Sequence, residues 1–374
     1  MSQHALRVAE VVPLTDDAVA VGLAVPDRLR ATFAHEAGQH LPVRVPPALL
    51  APGAPEERRT YSICTAPSAL PLEGPATVRI GVRRHPHGVL SRHLVDDLHV
   101  GDELEVGAPT GRFTWRPHPA AAAEADGPPH LVCVAAGSGI TPMLAIAAEA
   151  LTTDPRARVT LVRVDRTAGS VMFADEVADL KDAHPDRCVV VHVLTREHQS
   201  SALLSGRWDD DRVGQLLDGV LTGAPAVTGW YLCGPHPLVE GLRSALRARG
   251  VDPALVHREL FAGADPTTVA EPSPVAVPGM DLGVDLEVVL GGRRTAVPVG
   301  AGDANLLDAL LKVRRDAPYA CRGGVCGTCR GRVVEGTVAM ADQWALEPEE
   351  VAAGYALACR SRATSSRVVL DLDA

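Results

Sequence analysis

Four cysteines near the end of the chain have the residue type and spacing of a redox site. Cys321-Arg-Gly-Gly-Val-Cys326-Gly-Thr-Cys329, with Cys359 further on, reads C-x4-C-x2-C-x29-C, the ligand spacing of a plant-type [2Fe–2S] cluster. Three thiolates from one short loop must converge, which demands sharp turns. Gly323, Gly324 and Gly327 permit positive φ and leave backbone N–H groups free to bond sulfur, and Thr328 adds a hydroxyl donor. Such donors help set a potential that for plant-type clusters is roughly −400 mV. The alternatives are a zinc site or buried free thiols; zinc sites usually carry paired C-x2-C knuckles, and one such pair occurs here.

A one-electron cluster needs an electron source, and a flavin is the usual converter from a two-electron donor. Arg59-Thr60-Tyr61-Ser62 reads as part of a strand: Arg59 offers a planar fork for pyrophosphate, Tyr61 an aromatic face for a flavin ring and Ser62 a hydroxyl for its edge. Gly88-Val89-Leu90-Ser91 reads as a turn into a short helix whose N–H groups favour phosphate. Taken singly, these are also an exposed arginine beside a barrel tyrosine and an ordinary turn.

A nucleotide turn follows. Ala135-Ala-Gly137-Ser-Gly139-Ile-Thr141-Pro142 ends an apolar strand and opens a helix, although Pro142 stands where a dinucleotide fingerprint has its third glycine. Tyr231-Leu-Cys233-Gly234-Pro235-His-Pro237 ends another strand, where α/β sheets bind ligands. Cys233 reads either as a neighbour of the nicotinamide or as a small buried hydrophobe. Arg166, Thr195-Arg196 and Arg207 follow strand-like runs and could pair with a 2′-phosphate, or be plain surface arginines; Asp165 would oppose a phosphate.

These residues need elements to hold them. At 374 residues the chain is long enough for two or three domains. Short alternating runs such as Thr77–Val82 and Glu103–Val106 suit an antiparallel β-barrel for FAD over 1–118. Leu131–Ala136, Val159–Val164 and Val189–Leu194, with a helical Pro142–Leu151, suit a parallel α/β sheet for NAD(P) over 129–262. Pro117–Pro129 reads as a joint and 263–283 as a Pro-rich linker. Over 284–374, Leu286–Leu290 and Arg294–Val299 flank Gly291-Gly292 as a hairpin, and Leu306–Arg314 is helical, as in a β-grasp ferredoxin domain.

Composition narrows the partners. No apolar run approaches the length of a membrane span. Met1–Arg7 lacks a secretory pattern, and the eight cysteines include four grouped as metal ligands, so a cytoplasmic protein is expected. A net charge of −10 argues against nucleic acid. From Val284 on, 12 acidic and 11 basic residues nearly cancel, which does not support docking through an acidic ferredoxin face.

With RTYS, GVLS, GSGITP, CGPHP and CRGGVCGTC in this order, the chain resembles ferredoxin–NADP reductase-type flavoproteins fused to a C-terminal plant-type ferredoxin domain. Within that group it is similar to the reductases of phenylacetyl-CoA epoxidase, or ring-1,2-phenylacetyl-CoA monooxygenase, through YSICTAPSA, VMFADEVADLK, YACRGGVCGTCRGRVVEGTV and EEVAAGYALACRSR. The resemblance implies FAD, a [2Fe–2S] cluster and NADPH, with NADH as the alternative donor, and an oxygenase component of a multicomponent di-iron epoxidase as partner. It implies that Arg59, Tyr61 and Ser62 bind FAD, with Val82, Arg83, Gly88, Val89 and Ser91 lining it. Gly137, Gly139, Thr141 and Pro142 would hold the nucleotide, with Cys233, Gly234 and Pro235 near hydride transfer, and Glu259 and Phe261 over the flavin. Tyr61, Ser62 and Cys233 are the expected catalytic residues. Two other readings stand beside it: a reductase serving an aromatic-ring or steroid hydroxylase, and an iron–sulfur carrier or sensor with an inactive reductase part. The Arg322–Val325 loop matches the epoxidase reductases better than the Glu-containing loops of steroid hydroxylase reductases.

Overall fold

The computed structural model describes residues 3–54, 56–71, 76–116, 128–206, 208, 210–221, 226–261, 283–300 and 302–374. Nearly all of the expected joint at 117–129 and linker at 263–283, together with Arg207, lies outside the described residues. The larger of two compact units is formed by His4–Glu56 and Tyr61–Phe261, so the barrel and the α/β sheet pack as one body. The smaller unit contains Glu57–Thr60 and the C-terminal segment.

The first sheet contains β1 (Gln3–Thr15), β2 (Ala18–Val25), β3 (His40–Arg44), β4 (Arg58–Ser62), β5 (Ala76–Arg83) and β6 (Glu103–Gly107), with helices α1 (Arg30–Phe33) and α2 (Val89–Asp96). Its order is β4-β3-β6-β1-β2-β5, and an antiparallel bridge between Ile63 and Ile80 joins the two ends into a barrel. Closure removes the free edges that an open sheet would expose. Leu6, Val8, Val21, Leu23, Leu41, Val43, Val78, Ile80 and Val82 fill the interior, each fully buried aliphatic side chain contributing about 1.5–3 kcal/mol. Along β5 the alternation breaks at Gly81, which is buried as well. A Cβ there would lie 2.5 Å from the Thr141 methyl and 2.7 Å from the Phe173 ring, so glycine is what lets the α/β sheet's loops meet the barrel wall.

The second sheet is β7 (His130–Ala136), β8 (Arg158–Asp165), β9 (Cys188–Leu194), β10 (Gly229–Gly234) and β11 (Val256–Leu260), alternating with α3 (Ile140–Thr153), α4 (Ala174–Ala183), α5 (Asp210–Leu221) and α6 (His236–Ala248). All pairings are parallel, in the order β11-β10-β7-β8-β9. Burial on both faces accounts for the near-continuous apolar runs of β7 and β10. Strand order reverses between β7 and β10, and the crevice beyond their carboxyl ends is where such sheets take ligands. GSG follows β7 and Cys233-Gly234-Pro235 ends β10, so both nucleotide motifs lie at that crevice.

The third sheet pairs β12 (Asp285–Leu290), β13 (Arg293–Pro298), β14 (Arg330–Glu335), β16 (Tyr355–Leu357) and β18 (Arg367–Asp371), with α7 (Leu306–Val313) against it; β15 (Val338–Met340) pairs with β17 (Ser361–Ala363), and α8 (Pro348–Ala352) precedes β16. Parallel β12 and β18 amid antiparallel neighbours give the β-grasp arrangement. Gly291 and Gly292 adopt φ of 63° and 69°, which makes a two-residue turn and pairs Leu290 with Arg293, one residue earlier than the sequence pattern places the second strand. Among the described residues, no helix is long and apolar enough to cross a membrane.

Candidate electron-transfer site

The cluster loop lies between α7 and β14, and β16 leads into Cys359. The Ala358 N–H donates to the Cys329 carbonyl at 3.0 Å, which brings the distant fourth cysteine to the loop. The sulfurs lie as two neighbouring pairs, Cys321 with Cys326 and Cys329 with Cys359. A binuclear cluster, in which two thiolates bind each iron, fits that division. Among the described residues no group of three or more His, Cys, Asp or Glu closes on a single-ion position. The Cys326 side chain, opposed by burial and helped by the N–H groups of Cys326, Val325 and Gly323, draws the Cys321 thiol down to about 5, while Cys321 and burial push the Cys326 thiol well up, and Cys359 and burial do the same to Cys329. The Cys326 N–H lies 3.4 Å from the Cys321 sulfur, and the Thr328 hydroxyl donates to the Cys326 sulfur at 3.2 Å.

Of the glycines expected to turn the loop, Gly324 and Gly327 have positive φ and Gly323 does not; Arg322 takes that conformation instead, at 53°. Its guanidinium bonds Asp308 of α7 at 2.8 Å and lies over the Tyr319 ring, contacts that stabilise a backbone state unfavourable to an L-residue.

In the larger unit, β4 leads Tyr61 and Ser62 to the barrel rim. Ser62 is buried, and its hydroxyl donates to Glu259 Oε2 at 2.8 Å. Glu259 is paired in register with Cys233, itself opposite Ala135 of β7, so the chain's serine, carboxylate and thiol converge from β4, β11 and β10. Cys233 is 1% exposed, and burial, reinforced by the Glu259 carboxylate, pushes its thiol well up, so it enters the site neutral. Gly139 packs on this strand end: a Cβ there would lie 2.3 Å from the Cys233 carbonyl oxygen and 3.3 Å from its sulfur. Thr141 is buried, its hydroxyl donating to the Ser138 carbonyl at 2.9 Å, and Pro142 is buried in the first turn of α3. Phe261 packs against the same core, and Gly234 and Pro235 lead into α6.

Three helix starts near these motifs lack a side-chain cap among the described residues, α2 at Gly88, the GSG turn that opens α3, and α6 at Pro235, which leaves N–H groups available to an anion. The Ser91 hydroxyl is turned back onto the preceding loop, where it accepts from the His85 N–H at 3.0 Å and donates to the Gly88 carbonyl at 3.3 Å. Val89 is exposed beside it, and Arg59 is exposed with its guanidinium on Glu57 and the Arg58 carbonyl.

Val82, Arg83 and Asp165 differ in where their side chains lie. Val82 is 0% exposed with its side chain in the barrel core, so it can offer a ligand only its backbone. Arg83 reaches out of the barrel: it bonds the Ser170 carbonyl, lies 3.2 Å from Asp17, and would come within 3.0 Å of a Cβ on Gly137, so it faces the nucleotide turn. Asp165 is buried among Arg163, Arg83 and Arg166, with burial raising its carboxyl and these cations opposing the rise. Arg166 bonds Asp17 at 2.8 Å, while Arg196 is exposed and its N–H bonds the Arg166 carbonyl at 2.8 Å. Asp17 and His40 were not singled out from sequence. His40, in the Gly38-Gln39-His40 entry to β3, is 2% exposed and places Nδ1 at 3.5 Å from Glu259 Oε1.

A barrel, a switch-point sheet and a paired-thiol β-grasp domain define a modular flavin and iron–sulfur oxidoreductase. Family models agree: the oxidoreductase FAD-binding domain matches residues 6–115, the oxidoreductase NAD-binding domain 133–244, and the 2Fe-2S iron-sulfur cluster binding domain 288–364. The chain belongs to the family of oxygenase reductase components that includes the E component of 1,2-phenylacetyl-CoA epoxidase from Escherichia coli K12, to which it is 37% identical over 99% of its length and 98% of the relative's. It is 32% identical to the ferredoxin reductase component of 3-ketosteroid-9-alpha-monooxygenase from Rhodococcus rhodochrous, over 98% of this chain and 96% of that one. Phthalate dioxygenase reductase, described as a modular structure for electron transfer from pyridine nucleotides to [2Fe-2S], shares the fold with a TM-score of 0.57 at 23% identity, covering 99% of this chain and 98% of that one. The chain is an NAD(P)H-dependent oxidoreductase that uses FAD and a [2Fe–2S] cluster to supply electrons to an oxygenase component.

Proposed function

We propose that this chain carries electrons from NADPH to the oxygenase component of a di-iron epoxidase acting on phenylacetyl-CoA. The observation that carries the electron route is the Ser62–Glu259 hydrogen bond beside Cys233, which ties the barrel strand of the flavin motif to the strand ends of the nucleotide sheet. The choice of acceptor rests on 37% identity along nearly the whole chain to a protein named for that epoxidation.

FAD, when bound, supplies the conversion between a two-electron donor and a one-electron cluster. The chain's own residues prepare that exchange. Tyr61 offers an aromatic face, Ser62 a hydroxyl fixed by Glu259, and neutral Cys233 a dry neighbour that adds no charge where hydride passes. Arg59, Gly88 and Val89 take the flavin's phosphates, helped by the Val82 backbone and by the loop that Ser91 braces. Gly137, Gly139, Thr141, Pro142, Gly234 and Pro235 shape the nucleotide crevice, with Arg83 over the turn, Arg166 and Arg196 at its far rim and Phe261 covering the flavin face. Cys321, Cys326, Cys329 and Cys359 would hold the [2Fe–2S] cluster, which would supply the one-electron step. The functional domains are 1–118, 129–262 and 284–374, joined through 263–283. The site of action is the cytoplasm, where reducing conditions keep the four cysteines outside the cluster set, Cys64, Cys133, Cys188 and Cys233, as thiols.

Reconstitution with the epoxidase oxygenase tests the acceptor: coupled, NADPH-dependent product is expected, and its absence, with turnover by a 3-ketosteroid hydroxylase oxygenase instead, overturns the assignment. Arg196→Leu should raise KM for NADPH about tenfold and leave NADH unchanged, since one charge-assisted phosphate contact is worth about 1.5–3 kcal/mol.

A further inference from the structure

His40 belongs to none of the motifs that carry the function, yet it touches the residue that orients Ser62. Its ring is 2% exposed, and among the described residues neither Nδ1 nor Nε2 has a hydrogen-bond partner. A buried imidazole without partners is unfavourable unless the site uses it. Nδ1 lies 3.5 Å from Glu259 Oε1, just beyond a formed hydrogen bond, while the other oxygen of that carboxylate, Oε2, already accepts from Ser62 at 2.8 Å. His40 and Ser62 therefore meet the two ends of one carboxylate.

The surrounding backbone holds the ring there. His40 and Thr110 exchange both backbone hydrogen bonds, at 2.9 and 3.0 Å, and Gly111 follows with φ of 119°. A Cβ at Gly111 would come within 2.9 Å of Nδ1 and 3.0 Å of Cε1, so glycine leaves the space that the imidazole fills. An approach of a few tenths of an ångström would close the contact to Glu259, and hydrogen bonds of this kind tighten when a reacting complex forms.

We propose that His40 is a positioning residue: its Nδ1–H bonds Glu259 Oε1 in the working complex and fixes the carboxylate that holds the Ser62 hydroxyl. The inference rests on the electron route proposed above. A relay His40–Glu259–Ser62 takes one residue from each of three strands, β3, β11 and β4, and locks the rotamer of the middle one from both sides.

The test uses the full-length, FAD- and cluster-loaded chain. Flavin reduction by saturating NADPH, followed by stopped flow, should slow about tenfold in His40→Phe and in His40→Leu, which offer no donor, equivalent to about 1.4 kcal/mol. FAD stoichiometry, KM and thermal midpoint should stay as in the unsubstituted protein. In a Glu259→Ala background the same His40 substitutions should change the rate by no more than roughly twofold, because the acceptor of the contact they remove is already gone. Independently of turnover, the His40 ring 15N resonances should shift on Glu259→Gln. An equal loss in both backgrounds, or ring resonances unmoved by Glu259→Gln, overturns the proposal. Unsubstituted protein whose flavin is not reduced by NADPH would instead overturn the electron route.

Discussion

Ser62 and Glu259 lie 197 residues apart and share a 2.8 Å hydrogen bond, the donor on a barrel strand and the acceptor on the edge strand of the nucleotide sheet. The bond orients a hydroxyl at the point where the two modules meet. Hydrogen bonds to a charged group are worth about 1.5–3 kcal/mol. Ser62→Ala should therefore slow NADPH-dependent flavin reduction by roughly 10–100-fold, with FAD retained, as stopped-flow absorbance would record.

Gly81 is the contact point between the barrel wall and the loops of the second sheet. A β-branched side chain there would drive into Thr141 and Phe173. Gly81→Val should lower stability by about 1–3 kcal/mol and raise KM for the nucleotide, because Thr141 opens the helix at the crevice. Thermal denaturation and steady-state kinetics check the two effects separately.

The paired thiols make the cluster separable from the flavin. Cys359→Ser should abolish the cluster's visible absorbance and its reduced-state paramagnetic signal, since one iron loses a thiolate. Reduction of ferricyanide with NADPH should persist at no less than about half the parent rate, a change within roughly 0.4 kcal/mol.

Buried thiols set an alkaline limit. Burial, with Arg79 opposing, raises the Cys64 thiol from 9.0 to about 12, and burial likewise raises those of Cys133, Cys188 and Cys233. A folded-state value above the unfolded one means that the folded chain holds the proton longer, so this stability is complete below pH 9 and is lost as pH rises through 9 toward 12. The thermal midpoint should fall between pH 9 and 11, and the decline should be shallower in Cys64→Ala.

The cluster was legible in the sequence because its ligands come mainly from one loop, and local spacing encodes local geometry. The strands and helices were legible for a related reason: period-two and apolar runs report which faces are buried, and glycine pairs report turns, so β5, β7, α3 and the β12–β13 hairpin fall within a few residues of expectation. Hydride-site chemistry is different. Motif and resemblance name Ser62, Cys233 and Glu259 but not His40, yet all four come from different strands, and their mutual contacts arise only when barrel closure and the β7–β10 strand reversal bring them together. Side-chain direction was equally hidden. Val82 and Arg83 are neighbours in the same run, yet the pleat sends one into the barrel core and the other to the nucleotide turn. Sequence determined which cofactors the chain can hold, because their ligands are sequential motifs. Tertiary structure decided which side chains face one another across them, because those contacts depend on where distant backbone segments cross.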